Sequence, residues 1–323
     1  MYKFVPILKS VLWGGERICA YKQIVSDRTQ IGESWELSGV EGCESVVAEG
    51  PDAGMRLSEL VAREGSALVG AANYARFGNE FPLLVKFIDA KQDLSIQVHP
   101  DDELAGRRHG AKGKTEMWYV IDADAEARLR CGFSERMTPS EYAECVERHT
   151  LTDRLADYPI RRGDVFFLPA GCVHTICAGS FIAEIQQTSD ITYRIYDYNR
   201  RDAQGRLREL HTELAKEAID YEPRSGYPVP YESRENVPVE LVRCPYFSTS
   251  VAVLTAPYRF DLANLDSFLV VVCTEGRGVL YDDAGRACPL HQGETVLVPA
   301  RVQSLTAEPA TPRLTLLTSC IDA

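Results

Sequence analysis

Long apolar runs are missing from this chain. The longest, Phe268 to Cys273, is far short of the ~20 residues a bilayer-spanning helix needs and reads as a buried strand. The opening stretch MYKFVPILKSVLWGG has no apolar core followed by a small-residue cleavage site, so no signal peptide is expected and the expected location is cytoplasmic. Paired cysteines are missing too. Ten cysteines are scattered without a CxxC spacing, which excludes a cysteine zinc ribbon and leaves buried, reduced thiols as the expectation. Positive charge is in deficit, 35 Lys and Arg against 47 Asp and Glu, for a formal net charge of −12. A phosphate backbone would be repelled, so neither a nucleic acid nor a membrane is an expected partner. A small anion remains admissible where a few basic side chains share one pocket.

What is present points to β structure. The 323 residues are 45% hydrophobic, with 17 Pro, 23 Gly and many short runs of Val, Tyr, Phe and Thr. Three segments carry helical patterns: Leu57 to Gly70, Met137 to Leu155 with Thr138 as N-cap and Pro139 in the first turn, and Leu210 to Tyr221. The stretch Glu222 to Val239 contains Pro223, Pro228, Pro230 and Pro238 and reads as an extended linker. It divides the chain into an expected domain at 1–225 and a second at 240–323.

Either side of the linker the chain repeats itself. Residues 163–174 read GDVFFLPAGCVH and residues 293–304 read GETVLVPARVQS. Each has Gly, an acid, an apolar strand, and Pro six residues after the Gly, as two copies of one β module would. The pattern G-x5-P-x-G-x2-H in the first copy resembles the second motif of the cupin barrel. In the second copy Ser304 stands where His174 stands in the first, so the C-terminal module is expected to lack a metal.

The stretch LSIQVHPDDE (Leu94 to Glu103) alternates. Period two puts Ser95, Gln97 and His99 on one face and Leu94, Ile96 and Val98 on the other. A cupin's first motif supplies two ligands from one strand and an acid from the next. Gly113 to Ile121, GKTEMWYVI, places Lys114, Glu116 and Trp118 on one face, so a lysine flanks the acid. The intervening DDELAGRRHGAKGK is expected to be a charged rim or lid loop. Gln97, His99, Glu116 and His174 are then the candidate metal ligands, a borderline donor set that suits zinc. Downstream, FIAEIQQTSDITYRIYDYNRRD puts Glu184 on a strand face. It also sets Arg194 in an aromatic run, either paired to Asp190 or Asp197 or aimed into the pocket as an anion partner. Arg200 and Arg201 are expected in ion pairs or solvent. His109, His149 and His291 have no ligand spacing.

The ordered motifs WGGERI, IGESWELS, FPLLVKFIDA, LSIQVHPDDE, GKTEMWYVIDA, PAGCVHTI and TYRIYDYNR resemble those of the type I mannose-6-phosphate isomerases in their short bacterial form. The resemblance implies an all-β bicupin with helical insertions and one zinc per chain, in the first barrel only, held by Gln97, His99, Glu116 and His174. It also implies that Ser95, Lys114, Glu184 and Arg194 line the active site, with Lys86 and Trp13 nearby. Trp13, in a glycine-flanked turn, is the indole best placed to receive a sugar ring, whereas Trp35 and Trp118 sit in strands and read as core.

An aldose–ketose isomerase of a sugar phosphate needs an oxyanion stabiliser, a base and a cationic phosphate site. Arg194 is expected to stabilise an enediolate and zinc to orient the sugar oxygens. Glu184, Glu116, Lys114 and a zinc-bound water all remain open as the base. Ser95, Lys86, Lys114 and Arg194 are candidates for holding the phosphate. A non-catalytic, sugar-sensing zinc cupin would keep the ligands and alter Lys114, Glu184 or Arg194, and all three are present. A cupin-type glucose-6-phosphate isomerase would be a single barrel with two His in its first motif. A metal oxygenase would need iron.

Overall fold

The computed structural model describes residues 1–202 and 204–321. It is mostly β with few helices, and its strands form two pairs of sheets.

In the first pair, a six-stranded antiparallel sheet runs in the order Ile7–Gly15, Ile31–Ser38, Leu83–Asp89, Ser180–Gln187, Glu116–Ala123, Val165–Leu168. It packs on a five-stranded sheet ordered Tyr193–Tyr196, Ile96–Val98, His174–Ile176, Arg128–Phe133, Leu155–Pro159. One apolar cluster joins them, with Ile88, Val120 and Ile182 from the larger sheet against Leu129, Cys131 and Ile176 from the smaller. The second pair combines Tyr2–Lys3, Thr295–Val298, Leu269–Glu275, Leu314–Cys320, Ser248–Leu254 and Val239–Arg243 with a four-stranded sheet.

The strands of the larger first sheet are apolar on both faces because each face has a partner. On Glu116–Ala123, Met117, Tyr119 and Ile121 point away from the first sheet pair. They join Phe81, Val85, Phe247, Phe268, Val270 and Leu317 in a core shared by the two six-stranded sheets. Glu116, Trp118 and Val120 alternate with them and face inward. Near this seam Lys22 meets Glu36 at 2.6 Å with both side chains at most 5% exposed. The same ammonium donates to the Gly293 carbonyl, so the ion pair ties the first 40 residues to the second sheet pair.

The internal repeat is visible in the hydrogen bonds. Gly163 N–H donates to Val120 O at 2.8 Å, and Gly293 N–H donates to Cys273 O at 2.8 Å. Val120 and Cys273 return the bond to Asp164 O and Glu294 O, both at 2.9 Å. The two glycines have φ of 89° and 84°, a left-handed turn that a side chain would strain. After the strands, Cys172 bonds back to Pro169 O and Val302 to Pro299 O.

Several local expectations are corrected. The pattern over Leu57 to Gly70 splits into Leu57–Glu64 and Ser66–Val69, because Gly65 turns at φ 54°, and an unexpected helix follows at Ala71–Phe77. Apart from a short 3-10 turn at Leu151–Arg154, the segment from Met137 is α-helical only over Pro139–Glu147. Thr138 caps it in a box with Glu141 as expected, but His149 turns left-handed at φ 56° and the chain goes on to the strand Leu155–Pro159. The third helix is Thr212–Ala218. The expected rim loop contains a helix, Asp102–His109. The Asp101 carboxylate accepts from Leu104 N–H, Asp102 and Glu103 occupy the first turn, and Arg107, Arg108 and His109 the last, which matches the helix dipole. Trp13 lies inside the strand Ile7–Gly15, not in a turn, and is 4% exposed. The 222–239 segment is extended but tied down: Tyr227 is buried, and Val229 N–H donates to Val165 O. Cys131, Cys172, Cys177, Cys273 and Cys288 are buried free thiols among the described residues, as expected. Among the described residues no helix is long and apolar enough to cross a membrane.

Candidate metal centre and active site

Strand register assembles the site. In the smaller sheet His174 lies opposite Gln97, and Gln97 lies opposite Arg194 on its other side. Glu116 opens its strand on the facing sheet, and His99 follows directly after Ile96–Val98. His99, Glu116 and His174 are all buried, with one ligand atom from each within 4.8 Å of the others. His174 Nε2 is 3.2 Å from Glu116 Oε1, and His99 Nε2 is 3.7 Å from Glu116 Oε2.

The outer nitrogens of both rings are spoken for. His99 Nδ1–H donates to Ile191 O at 2.8 Å and His174 Nδ1–H to Cys172 O at 2.9 Å. Each Nε2 therefore presents a lone pair inward, the tautomer and orientation that metal-binding imidazoles are given by such carbonyls. Burial, with the Lys114 charge, holds both rings neutral: His99 titrates well below its usual range and His174 is lowered to about 4. Burial also raises Glu116 to about 7 against the pull of Lys114. Glu116 Oε1 is buried and has no hydrogen-bond donor. A carboxylate oxygen without a donor, 3.2 Å from an imidazole lone pair, is a pair of acceptors facing each other. A divalent cation satisfies both, so these residues fit a metal. The Gln97 amide reaches the same point, with Nε2 3.3 Å from His174 Nε2 and Oε1 accepting from Ser95 Oγ at 3.3 Å.

A charged row flanks the cluster. Lys114 Nζ donates to Glu116 Oε2 and, at 3.1 Å, to His99 Nε2; it is 3.5 Å from Glu184 Oε1. Lys86 Nζ lies 2.9 Å from the same Glu184 oxygen, and Trp118 Nε1–H donates to the other at 2.9 Å. Burial alone would raise the Glu184 carboxyl, but Lys114 and Lys86 prevail and hold it near 2. Glu184 is thus a buried carboxylate between two cations that favour its ionised form.

Arg194 shares the site face with Gln97 as its cross-strand partner. Its Nη1 donates to Glu209 O at 2.9 Å, while its Nε is buried without an acceptor. Asp197 does not pair with it; that carboxylate is taken by Arg200 and Arg208.

Two family models match the chain: the catalytic domain of type I phosphomannose isomerase over residues 1–125, and the cupin domain of mannose-6-phosphate isomerase over residues 239–311. The chain is 36% identical over 300 residues to a mannose-6-phosphate isomerase of Bacillus subtilis, covering 92% of each. It is 33% identical over 297 residues to one from Streptococcus mutans, covering 91% of this chain and 90% of the other. A crystal structure of mannose 6-phosphate isomerase from Bacillus subtilis superposes with a TM-score of 0.88 at 32% identity, over 98% of both chains. The chain belongs to the type I phosphomannose isomerases. It is an isomerase with a cupin fold, from a metal-dependent family.

Against that family's expected site, the structure brings Ser95, Gln97, His99, Glu116, His174, Lys114, Glu184 and Lys86 into one connected set of contacts. Arg194 stands at its border beside Gln97. Trp13 packs with Ile88, Trp118 and Val120 in the apolar cluster between the first two sheets, so its ring is held in the core. Trp118, read from its strand as core, is core and also the donor that orients Glu184. Period two already put Trp118 on the face of Glu116, which was the available signal. The clamp on Arg194 from Glu209 and His211 had none, since it comes from a remote loop.

Proposed function

We propose that this chain interconverts mannose 6-phosphate and fructose 6-phosphate by moving a proton between C1 and C2 through an enediol(ate), with one zinc per chain. The observation that carries the reading is the convergence of His99 Nε2, His174 Nε2 and the donorless Glu116 Oε1 on one point, beside an ionised Glu184 held by Lys86 and Lys114. His99, Glu116 and His174 would hold the ion, joined by Gln97 once its amide turns its oxygen inward. Bound there, zinc would supply Lewis-acid polarisation of the sugar oxygens.

The chain's own residues supply the rest. Glu184 and Lys114 form the proton-handling pair: with Oε1 and Nζ 3.5 Å apart, a proton taken by one stays within one hydrogen bond of the other. Arg194, with Nε free of protein acceptors, stabilises the anionic oxygen of the enediolate. The Ser95 hydroxyl, which now donates to Gln97 Oε1, can accept from the amide N–H once that oxygen turns inward, and Lys86 adds positive charge for an anionic substrate in an otherwise acidic protein. A sugar sensor would have no use for a carboxylate kept ionised between two lysines at the metal's edge.

The same reading makes residues 1–225 a catalytic cupin domain and residues 240–323 a metal-free one, a bicupin with its metal in the first barrel alone. It is supported by the repeat: in the second module Leu269 takes the register place of Glu116, Ser304 that of His174, and Asp261 that of Gln97. With Leu269 in the acid's place and Ser304 in the histidine's, the exposed Asp261 is the one ionisable side chain left at these three positions.

The test is fructose 6-phosphate formation from mannose 6-phosphate by purified, chelated and zinc-restored protein, with glucose 6-phosphate as a parallel substrate. Activity lost on chelation and regained with zinc supports reaction and metal together. Fructose 6-phosphate in none of the samples overturns the proposal, and product from glucose 6-phosphate alone overturns the substrate.

A further inference from the structure

Arg194 sits on an edge strand, Tyr193–Tyr196, whose inner neighbour is Ile96–Val98 and whose pairing is irregular just after Arg194. An edge strand leaves one row of N–H and C=O groups without a partner. At Arg194 a single residue fills both places. Arg194 N–H donates to His211 Nδ1 at 3.1 Å, and His211 N–H donates to Arg194 O at 2.6 Å. Two residues earlier the Glu209 carbonyl accepts from Arg194 Nη1 at 2.9 Å. Backbone and guanidinium are thus gripped from one short segment, and Nε, buried and without an acceptor, is left free.

The grip specifies the ring's chemistry. Nδ1 accepts, so the ring proton is on Nε2, which lies 4.0 Å from Glu209 Oε2. An imidazolium would turn an N–H towards the Arg194 N–H. His211 precedes the helix Thr212–Ala218 and makes no side-chain cap bond to it, so its ring has no structural duty there.

We propose that His211 is a positioning residue for Arg194: by closing the outer edge of the strand at that residue, it holds the guanidinium with its Nε edge available to the anionic oxygens of the sugar phosphate during proton transfer. This rests on the role given to Arg194 above. His211 touches no substrate in this reading and acts only through Arg194.

Two substitutions separate the acceptor from the ring. His211→Phe keeps an aromatic ring and loses Nδ1; His211→Asn loses the ring and keeps an acceptor at about the Nδ1 position. H211F is expected to lower kcat about tenfold with KM, metal content and thermal midpoint close to those of the parent, and H211N to recover most of the loss. In an Arg194→Lys background, H211F is expected to cost little more. Parent-like kcat in H211F overturns the proposal, as does a larger loss in H211N than in H211F. So does an undiminished H211F effect in the R194K background. An active Arg194→Ala protein would instead remove the role of Arg194 itself, so the two failures are told apart.

Discussion

Lys86 faces Glu184 directly across their antiparallel strands, and its ammonium stands 2.9 Å from Oε1 of the carboxylate. Neither group reaches solvent freely, and Lys114 approaches the same oxygen from the other side at 3.5 Å. A carboxylate in such a place cannot act as a reservoir for a proton in the resting enzyme. It fixes where two lysines point, and its own charge depends on both.

Glu184→Gln is expected to lower kcat by at least ~100-fold, on the scale of losing a general acid–base group, with metal content unchanged. Steady-state kinetics alongside metal analysis checks this, and parent-like turnover would remove Glu184 from the reaction.

Lys86→Met is expected to raise the Glu184 pKa from near 2, since a cation that favours the ionised form is gone. A carboxylate with a higher pKa is protonated at higher pH. The acid limb of kcat/KM should therefore move upward in pH, and an unmoved limb would show that Lys86 does not govern this group.

Metal binding should release protons in a pH-dependent way. Burial raises Glu116 to about 7 without metal, whereas burial and the Lys114 charge lower His174 to about 4 and hold His99 well below its usual range. Coordination requires the carboxylate, so zinc should displace about one proton at pH 6 and close to none at pH 8. Calorimetric titration in buffers of different ionisation enthalpy measures that number, and equal release at both pH values would contradict the burial argument.

His174→Ala should abolish tight metal binding, and Ser304→Ala, at the corresponding place in the second module, should retain one equivalent per chain with parent-like turnover. Metal analysis after dialysis decides it. Two equivalents in the parent would place a metal in the second barrel.

Lys22→Met leaves the Glu36 carboxylate buried at the seam without its cation, though Ser34 Oγ still donates to it at 2.5 Å. Breaking a buried pair from one side costs about 3–5 kcal/mol. Denaturant unfolding should show that loss, and a change under ~1 kcal/mol would mean the seam relaxes enough to let water reach Glu36.

How far the sequence could be read depended on the range of the interaction. Alternation is local, so Ser95 and Gln97 could be placed on one face of a strand from ten residues of text. His99 lies past the strand's end and is aimed by Ile191, a contact no local pattern encodes. The repeat was legible because a positive-φ glycine and a strand-ending proline constrain the backbone itself, wherever they stand. The helix Asp102–His109 was not, because only Leu104 and Ala105 face a core, and an eight-residue helix stabilised by capping and charge shows no apolar stripe. Trp13 was misplaced for the opposite reason: flanking glycines that signal a turn here allow close approach, Gly14 against the backbone of Gln30 and Gly32. Arg194 was read as either paired to Asp190 or Asp197 or aimed into the pocket; tertiary folding gave Asp197 to Arg200 and Arg208.

The strand Tyr2–Lys3 pairs with Val296 and Leu297, and Lys3 reaches Glu294 at 2.8 Å. Lys3 and Glu294 are 291 residues apart along the chain, whereas the other contact of the strand, Ala48 N–H to Lys3 O at 2.9 Å, is far nearer in sequence. The near contact can form early, but closing so long a loop onto Val296 and Leu297 is slow. The second sheet is finished from the opposite end of the polypeptide. Its assembly should therefore be the late event in refolding, and a bulky fusion ahead of Tyr2 should slow that phase while leaving the first pair of sheets quick to form.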